Sequence, residues 1–292
     1  MKRSLSIATL VLAQMAAGTT LLSLTSCTPV TTAQKNVEPQ SRQTVKISGA
    51  GAIYPALKVL AKAYEKKVTN TEITFFPPNQ SAGGIAGVKN SLVDIGALSR
   101  QLTTEENNGQ LTYREIAKDA LVVATHQSVK GVKNLQTKDL QRIYSGEIVN
   151  WRDLGGPDAK IIVLDRPEDE SAKKLLRKYY LGKSVTITSS AVLLSQEPEL
   201  IRAMQDTPYS IGYFSLAYAI ANNLVVNRLS LDNIAATVEN VKAEKYLMVR
   251  TLGIVYKTTP SQTVQGFLDF VASEEGATEL LQSGFVPSTA NK

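Results

Sequence analysis

The sequence predicts an α/β fold. From Val45 onward, short apolar runs of strand length alternate with stretches whose apolar residues recur at helical spacing. Small and hydroxyl residues cluster where a strand passes into a helix. About 250 residues lie beyond the N-terminal segment, enough for two lobes of about 125, each with its own core.

Val45 to Ser48 reads as the first strand and Gly49-Ala50-Gly51-Ala52 as a tight turn. Pro55 to Lys66 is a helix with proline near its first turn, and Leu57, Leu60, Ala61 and Tyr64 form its buried stripe. Glu72 to Phe76 is a strand, Ser81-Ala82-Gly83-Gly84 opens a helix that runs to about Leu92, and Asp94 to Ala97 is a strand. Ala120 to Thr125 and Lys160 to Leu164 are further strands, followed by a helix from Asp169 to Tyr180 closed by Gly182. The series ends with Ser210 to Tyr213 (strand), Leu216 to Asn222 (helix), Leu224 to Leu229 and Leu252 to Tyr256 (strands) and Ser261 to Ala272 (helix). No internal repeat or low-complexity tract interrupts it.

The first residues have the three regions of an export signal: Lys2 and Arg3, an apolar stretch from Ile7 to Leu24, and small residues before a cut. Leu24-Thr25-Ser26-Cys27 resembles the lipobox of bacterial lipoproteins, whose cysteine is alkylated by diacylglycerol and becomes the new N-terminus. That resemblance implies a signal peptide over 1–26 and a protein lipid-anchored at Cys27 to a bacterial membrane, facing the periplasm or the cell exterior. The alternatives are an ordinary secretory signal with an incidental cysteine, or an uncleaved anchor. Ser4, Thr9, Gln14, Gly18, Thr19 and Thr20 interrupt the stretch and make it a poor permanent span. With Cys27 the only cysteine, no disulfide forms within the chain. Residues 27–43 are polar, aperiodic and contain two prolines, and read as a tether of roughly 20–25 Å reach.

Cleavage after Ser26 leaves 30 Lys and Arg against 26 Asp and Glu, a net charge of +4. The basic residues are dispersed, as in Lys66-Lys67 and Lys173-Lys174, and read as solvated helix faces. Nucleic acid is therefore not an expected partner.

The catalytic inventory is thin. His126, the only histidine, ends an apolar strand and reads as a core or hinge residue. No nucleophile elbow, zinc motif or phosphate-loop motif occurs, and no cofactor is implied. Asp165, Glu168, Asp169 and Glu170 crowd one loop, which keeps a carboxylate-based hydrolase as the enzyme alternative. Otherwise the chain reads as a binding protein, not an enzyme.

Three strand-to-helix turns carry the positive signal: Gly49 to Tyr54, Asn79 to Gly84, and Asp165 to Ala172. Free backbone N–H groups and the positive end of a helix make such turns anion sites, and glycine lets a ligand approach the backbone. Ser81 adds a hydroxyl and Arg166 a planar fork suited to an oxyanion.

At these residues the sequence resembles the phosphate-binding proteins of the ABC-type phosphate uptake system, from about Val45 to Pro287. Ser48-Gly49-Ala50-Gly51-Ala52-Ile53-Tyr54-Pro55 is similar to that family's opening turn, Ser81-Ala82-Gly83-Gly84 to its helix start, and Asp94 to Arg100 to its next strand and ligand loop. Asp139 to Trp151, with Trp151 as a packing residue, Ile211-Gly212-Tyr213 and Gly284 to Pro287 resemble later landmarks. The resemblance implies the periplasmic-binding-protein fold: two α/β lobes around a ligand cleft, joined by two hinge crossings. It places lobe 1 at 44–123 and 250–292 and lobe 2 at 124–249, with hinges near Leu121 to His126 and Met248 to Ile254. The expected partners are phosphate or a related oxyanion and an ABC permease, with the chain itself a monomer.

Carried over by position, the implied ligand contacts are Ala52, Ile53, Tyr54, Ser81, Ser99, Arg100, Arg166, Glu170, Ser171 and Ala172. Ile53 replaces a threonine and offers only its backbone N–H. Ser99 replaces an aspartate that accepts a ligand proton in part of the family, and other members carry Ser-Arg there. Glu168 matches an acidic position that orients the arginine. Glu170 stands where a serine donates, and Ala172 replaces a threonine. A Glu170 carboxylate about 5 Å from a monoanion would cost about 3 kcal/mol at an effective dielectric near 20. Losing the hydroxyl at Ala172 removes about 1.5–3 kcal/mol more. Alternatively Asp169 caps the helix and Glu170, in its first turn, points to solvent. A diverged member binding another small solute, or an extracytoplasmic sensor, is the other reading of these departures.

Overall fold

A computed structural model describes residues 42–107 and 109–288. The signal peptide, Cys27 and the tether up to 41 lie outside the described residues.

The first half runs β1 (Gln43–Gly49), α1 (Tyr54–Lys67), β2 (Thr71–Phe75), α2 (Gln80–Lys89), β3 (Ile95–Leu98), β4 (Leu111–His126), β5 (Asn134–Leu135) and α3 (Thr137–Ser145). Next come β6 (Ile162–Asp165), α4 (Ser171–Leu176), β7 (Val192–Leu193), α5 (Glu197–Asp206), β8 (Ser210–Ser215), α6 (Leu216–Ala221), β9 (Val226–Arg228) and β10 (Ser230–Leu231). The chain closes with α7 (Val238–Lys242), β11 (Val249–Lys257), α8 (Gln262–Val271), α9 (Glu274–Gln282) and β12 (Val286–Pro287).

The main sheet has the order β2-β1-β3-β11-β4-β8-β6-β7. Parallel pairing of β1 with β2 and β3 buries Val45 and Ile47 completely, as strands covered on both faces require. On one face α1, α8 and α9 supply the core, with Leu57, Leu60, Phe267 and Leu280 against Ile47 and Ile254. On the other, Ile85 and Val88 of α2 pack on Leu98 and Val255. A separate core forms around Tyr144, Trp151, Leu164, Tyr213 and Phe214. These are the two α/β lobes expected. The fully buried Trp151 is a packing residue whose Nε1 donates to the Tyr209 carbonyl at 2.8 Å.

Two long strands join the lobes. In β4, Ile116 and Ala117 belong to the first core and Ala120 to Ala124 to the second. In β11, Leu252 and Ile254 lie in the first core, with Met248 just before the strand in the second. The changeover in β4 thus falls before the expected Leu121 to His126, because Leu121 to Thr125 are already paired with β8. The first lobe's strand also starts at Gln43, the last residue read as tether, because Gln43 pairs with Thr71.

Local sequence explains the entry to each turn. At Gly49 (φ 137°) a Cβ would fall 2.2 Å from the Ala97 carbonyl oxygen, so only glycine lets β1 turn over β3. At Gly84 it would lie 2.9 Å from the Ser48 carbonyl, so glycine seats α2 directly on the end of β1. The predicted helix from Asp169 starts later: Pro167 to Glu170 form a turn, α4 begins at Ser171, and Arg177–Leu181 is a π-helical turn before Gly182. Among the described residues no helix is long and apolar enough to cross a membrane.

Candidate functional site

The first turn holds its own backbone. The N–H groups of Ile53 and Tyr54 bond to the carbonyls of Ala50 and Gly51, and the Ile53 side chain is fully buried in the first core. The N–H expected of Ile53 as a ligand donor is therefore engaged at 3.3 Å in closing the turn. The Tyr54 hydroxyl donates to the Phe76 carbonyl at 2.8 Å, and Ala52 is half-buried.

The second turn and the β3 loop meet. Ser81, in the first turn of α2 and buried, accepts the Ser99 N–H at its hydroxyl oxygen over 3.2 Å. Arg100 does not join them as a free cation. Its fork takes Glu106 through Nη1 and Nη2 at 2.7 and 2.6 Å, and Nη1 also donates to the Gln101 carbonyl. Those bonds hold the Glu106 carboxyl down at about 2.

The third turn is the most unusual. Asp165 ends β6 with its side chain turned into the second core, while Arg166, the next residue, is only 4% exposed. The Arg166 Nη2 lies 3.0 Å from the Glu170 Oε2 and donates to the Ser195 carbonyl at 3.2 Å. Its Nε and Nη1 are buried and have no partner among the described residues. A guanidinium with two unmet donors in a nearly closed site is costly, each unmet group by about 1–3 kcal/mol, unless a ligand meets them.

Two expectations about this loop are overturned. Glu170 does not point to solvent from a first helical turn. It is the residue before α4, makes no capping bond, and places its carboxylate on Arg166. Glu168 does not orient Arg166 either, since Arg177 takes it through Nη2 at 2.6 Å and Nε at 3.0 Å. Ala172 sends its methyl into the second core at 1% exposure, and Ser171 opens α4 beside it, partly buried.

Beneath the loop lies a polar cluster that the sequence hid. Lys173, read as part of a solvated face, is fully buried: it pairs with Asp165, approaches Glu168 at 3.6 Å and stands 5.6 Å over the Tyr144 ring. Tyr213 donates its hydroxyl to the other Asp165 oxygen at 2.9 Å. Burial first, and the neighbouring Asp165 carboxylate second, push the Tyr144 and Tyr213 hydroxyls far above their ordinary range, so both stay neutral. Ala172, Lys173 and Leu176 share one helix face, and that spacing was the available signal. Nothing local marked Ser195, which reaches Arg166 through its main chain. His126 serves the fold: its Nδ1 accepts the Ser128 N–H at 3.1 Å.

The structure thus makes two clusters, Ser81 with Ser99 on the first lobe and Arg166 with Glu170 on the second. A surface depression of about 400 Å³ lies elsewhere, among Leu216, Arg228, Ala236 and Glu239. On the acidic loop Glu168 is paired with Arg177 and Glu170 with Arg166.

Residues 34–275 match the family model of the PBP superfamily domain. The phosphate-binding protein PstS of Borreliella burgdorferi is 31% identical over 251 residues, covering 83% of this chain and 89% of that protein. The PstS of Bacillus subtilis is 25% identical over 260 residues, covering 87% and 84%. A Clostridium perfringens chain solved with bound phosphate is 28% identical with a TM-score of 0.72, covering 84% of this chain and all of that one. The chain belongs to the PBP superfamily, in the family of the phosphate-binding protein PstS.

Proposed function

We propose that this chain is the extracytoplasmic solute receptor of an ABC importer and that it captures phosphate, without catalysis. The observation that carries this is Arg166: a guanidinium 4% exposed whose Nε and Nη1 lack partners, in a chain whose relatives are phosphate-binding proteins. Ser81, Ser99 and the 170–172 turn supply the remaining contacts, while Arg100, Ile53 and Tyr54 serve the fold around them.

The two lobes close on the ligand by rotating about β4 and β11. Lipid on Cys27 and a tether from there to the start of β1 keep the body, as a monomer, within reach of a permease in the same membrane.

A second reading has its own support. The Glu170 carboxylate already neutralises Arg166, and Ala172 offers no hydroxyl, as a receptor for a neutral or cationic solute would require. Isothermal titration of the purified protein with phosphate, sulfate and arsenate separates the two. Saturable one-to-one heat with phosphate supports the first. No heat with any oxyanion, restored by Glu170→Ser with Ala172→Thr, favours the second.

A further inference from the structure

We propose that Lys173 serves the anion site from beneath: its ammonium cancels the charge of Asp165, so that Arg166 keeps its attraction for an oxyanion. The inference rests on the anion-binding reading above, and it gives a part in binding to a side chain with no exposed surface. Asp165 and Arg166 are consecutive and are 3% and 4% exposed. A bare carboxylate on Asp165 would therefore place a buried negative charge next to the guanidinium that receives the ligand.

Both oxygens of that carboxylate are occupied. Lys173 pairs with Oδ2, and the Tyr213 hydroxyl donates to Oδ1 at 2.9 Å. The main chain is fixed too: the Leu194 N–H donates to the Asp165 carbonyl at 2.9 Å, and the next carbonyl along, that of Ser195, receives the Arg166 Nη2. The other acids of the loop have their own cations, Glu168 with Arg177 and Glu170 with Arg166. Lys173 is thus the cation that balances Asp165.

Burying an ion pair is a poor source of stability, so its place under Arg166 is what sets this one apart. The pair and Arg166 share one electrostatic neighbourhood. Burial first, and Asp165 second, push the Tyr213 hydroxyl up, while the Arg166 charge acts on the same hydroxyl in the opposite sense. A unit charge about 10 Å from a bound monoanion, at an effective dielectric near 20, changes affinity roughly tenfold. The sign follows the charge removed. Neutralising Lys173 uncovers Asp165 and repels the ligand, whereas neutralising Asp165 uncovers Lys173 and attracts it.

The test titrates inorganic phosphate into the purified wild type, Lys173→Gln, Asp165→Asn and the double variant, at one pH and ionic strength and at a temperature where unfolding curves show each to be folded. Lys173→Gln keeps a donor for Asp165 and removes the charge, and should bind phosphate about tenfold more weakly than the wild type. Asp165→Asn, although less stable, should bind it more tightly, with the double variant between the two. Losses of affinity in both single variants overturn the proposal, because a pair that only holds the fold gives the same sign at either end. Wild-type affinity in Lys173→Gln overturns it as well. If Lys173→Gln does not fold, Asp165→Asn carries the test, and binding no tighter than the wild type overturns the proposal while leaving the phosphate receptor intact. A wild type that binds no phosphate defeats the anion-binding reading itself, and the role of Lys173 falls with it.

Discussion

The ammonium of Lys173, with no solvent exposure, is paired with the carboxylate of Asp165, the residue immediately before Arg166. The pair fixes the end of β6 from below while Arg166 projects from it. Breaking such a pair leaves an uncompensated buried charge. Lys173→Met should therefore cost about 3–5 kcal/mol and lower the melting midpoint by roughly 10 °C. The Tyr213 hydroxyl remains on Asp165, so Lys173→Met with Asp165→Asn should recover part of the loss in a double-mutant cycle. Additive losses would show that the two side chains do not support each other.

A second buried pair stands where the lobes join. Arg250 of β11 is in register with Asp119 of β4, its Nε 2.9 Å from the carboxylate, and its Nη1 reaches Glu197 of α5 at 3.2 Å. Burial opposes the charge, but Glu197 and Asp119 together keep Arg250 protonated, above its ordinary range. Arg250→Met strands two carboxylates and should destabilise by about 3–5 kcal/mol, measured by urea unfolding.

Acid should act on the Arg100 and Glu106 pair. The folded Glu106 carboxyl lies at about 2 against an ordinary 4.5, so its contribution is present above about 4.5 and is lost as pH falls toward about 2. Glu106→Gln should change stability at pH 7 by less than about 1 kcal/mol and flatten the fall in melting midpoint across that acid window. Equal acid slopes in the two proteins would remove the pair from the account.

Gly84→Ala tests how α2 is seated. Its new methyl would meet the Ser48 carbonyl at 2.9 Å and the Gly49 Cα at 3.0 Å, both backbone atoms that cannot move aside as a side chain would. Overpacking of this kind costs about 1–3 kcal/mol. Ser81 rides on the same helix, so phosphate affinity should fall with stability.

Much of this was legible in the residues, for reasons that differ from place to place. The alternation after Val45 gave the lobes, because parallel strands buried on both faces are almost wholly apolar. The stripe Leu57, Leu60, Ala61 and Tyr64 is buried as its spacing requires. Helix α5 escaped, since Glu197 to Asp206 offers only Leu200, Ile201 and Met204 to the core. The early part of β4 escaped as well, because Thr112 to Glu115 are polar and only half-buried although the strand is continuous. In the site, residue types were readable but pairings were not: Glu168 and Glu170 are both acidic and two residues apart, and only their side-chain directions assign one to Arg177 and the other to Arg166.

The most direct measurement is equilibrium titration of phosphate into the wild type, Arg166→Lys and Arg166→Ala. The account predicts saturable one-to-one binding by the wild type and a loss of a hundredfold or more with Ala. Lys should recover little, because a point charge cannot replace a planar fork. Phosphate bound equally well by the wild type and Arg166→Ala would contradict it.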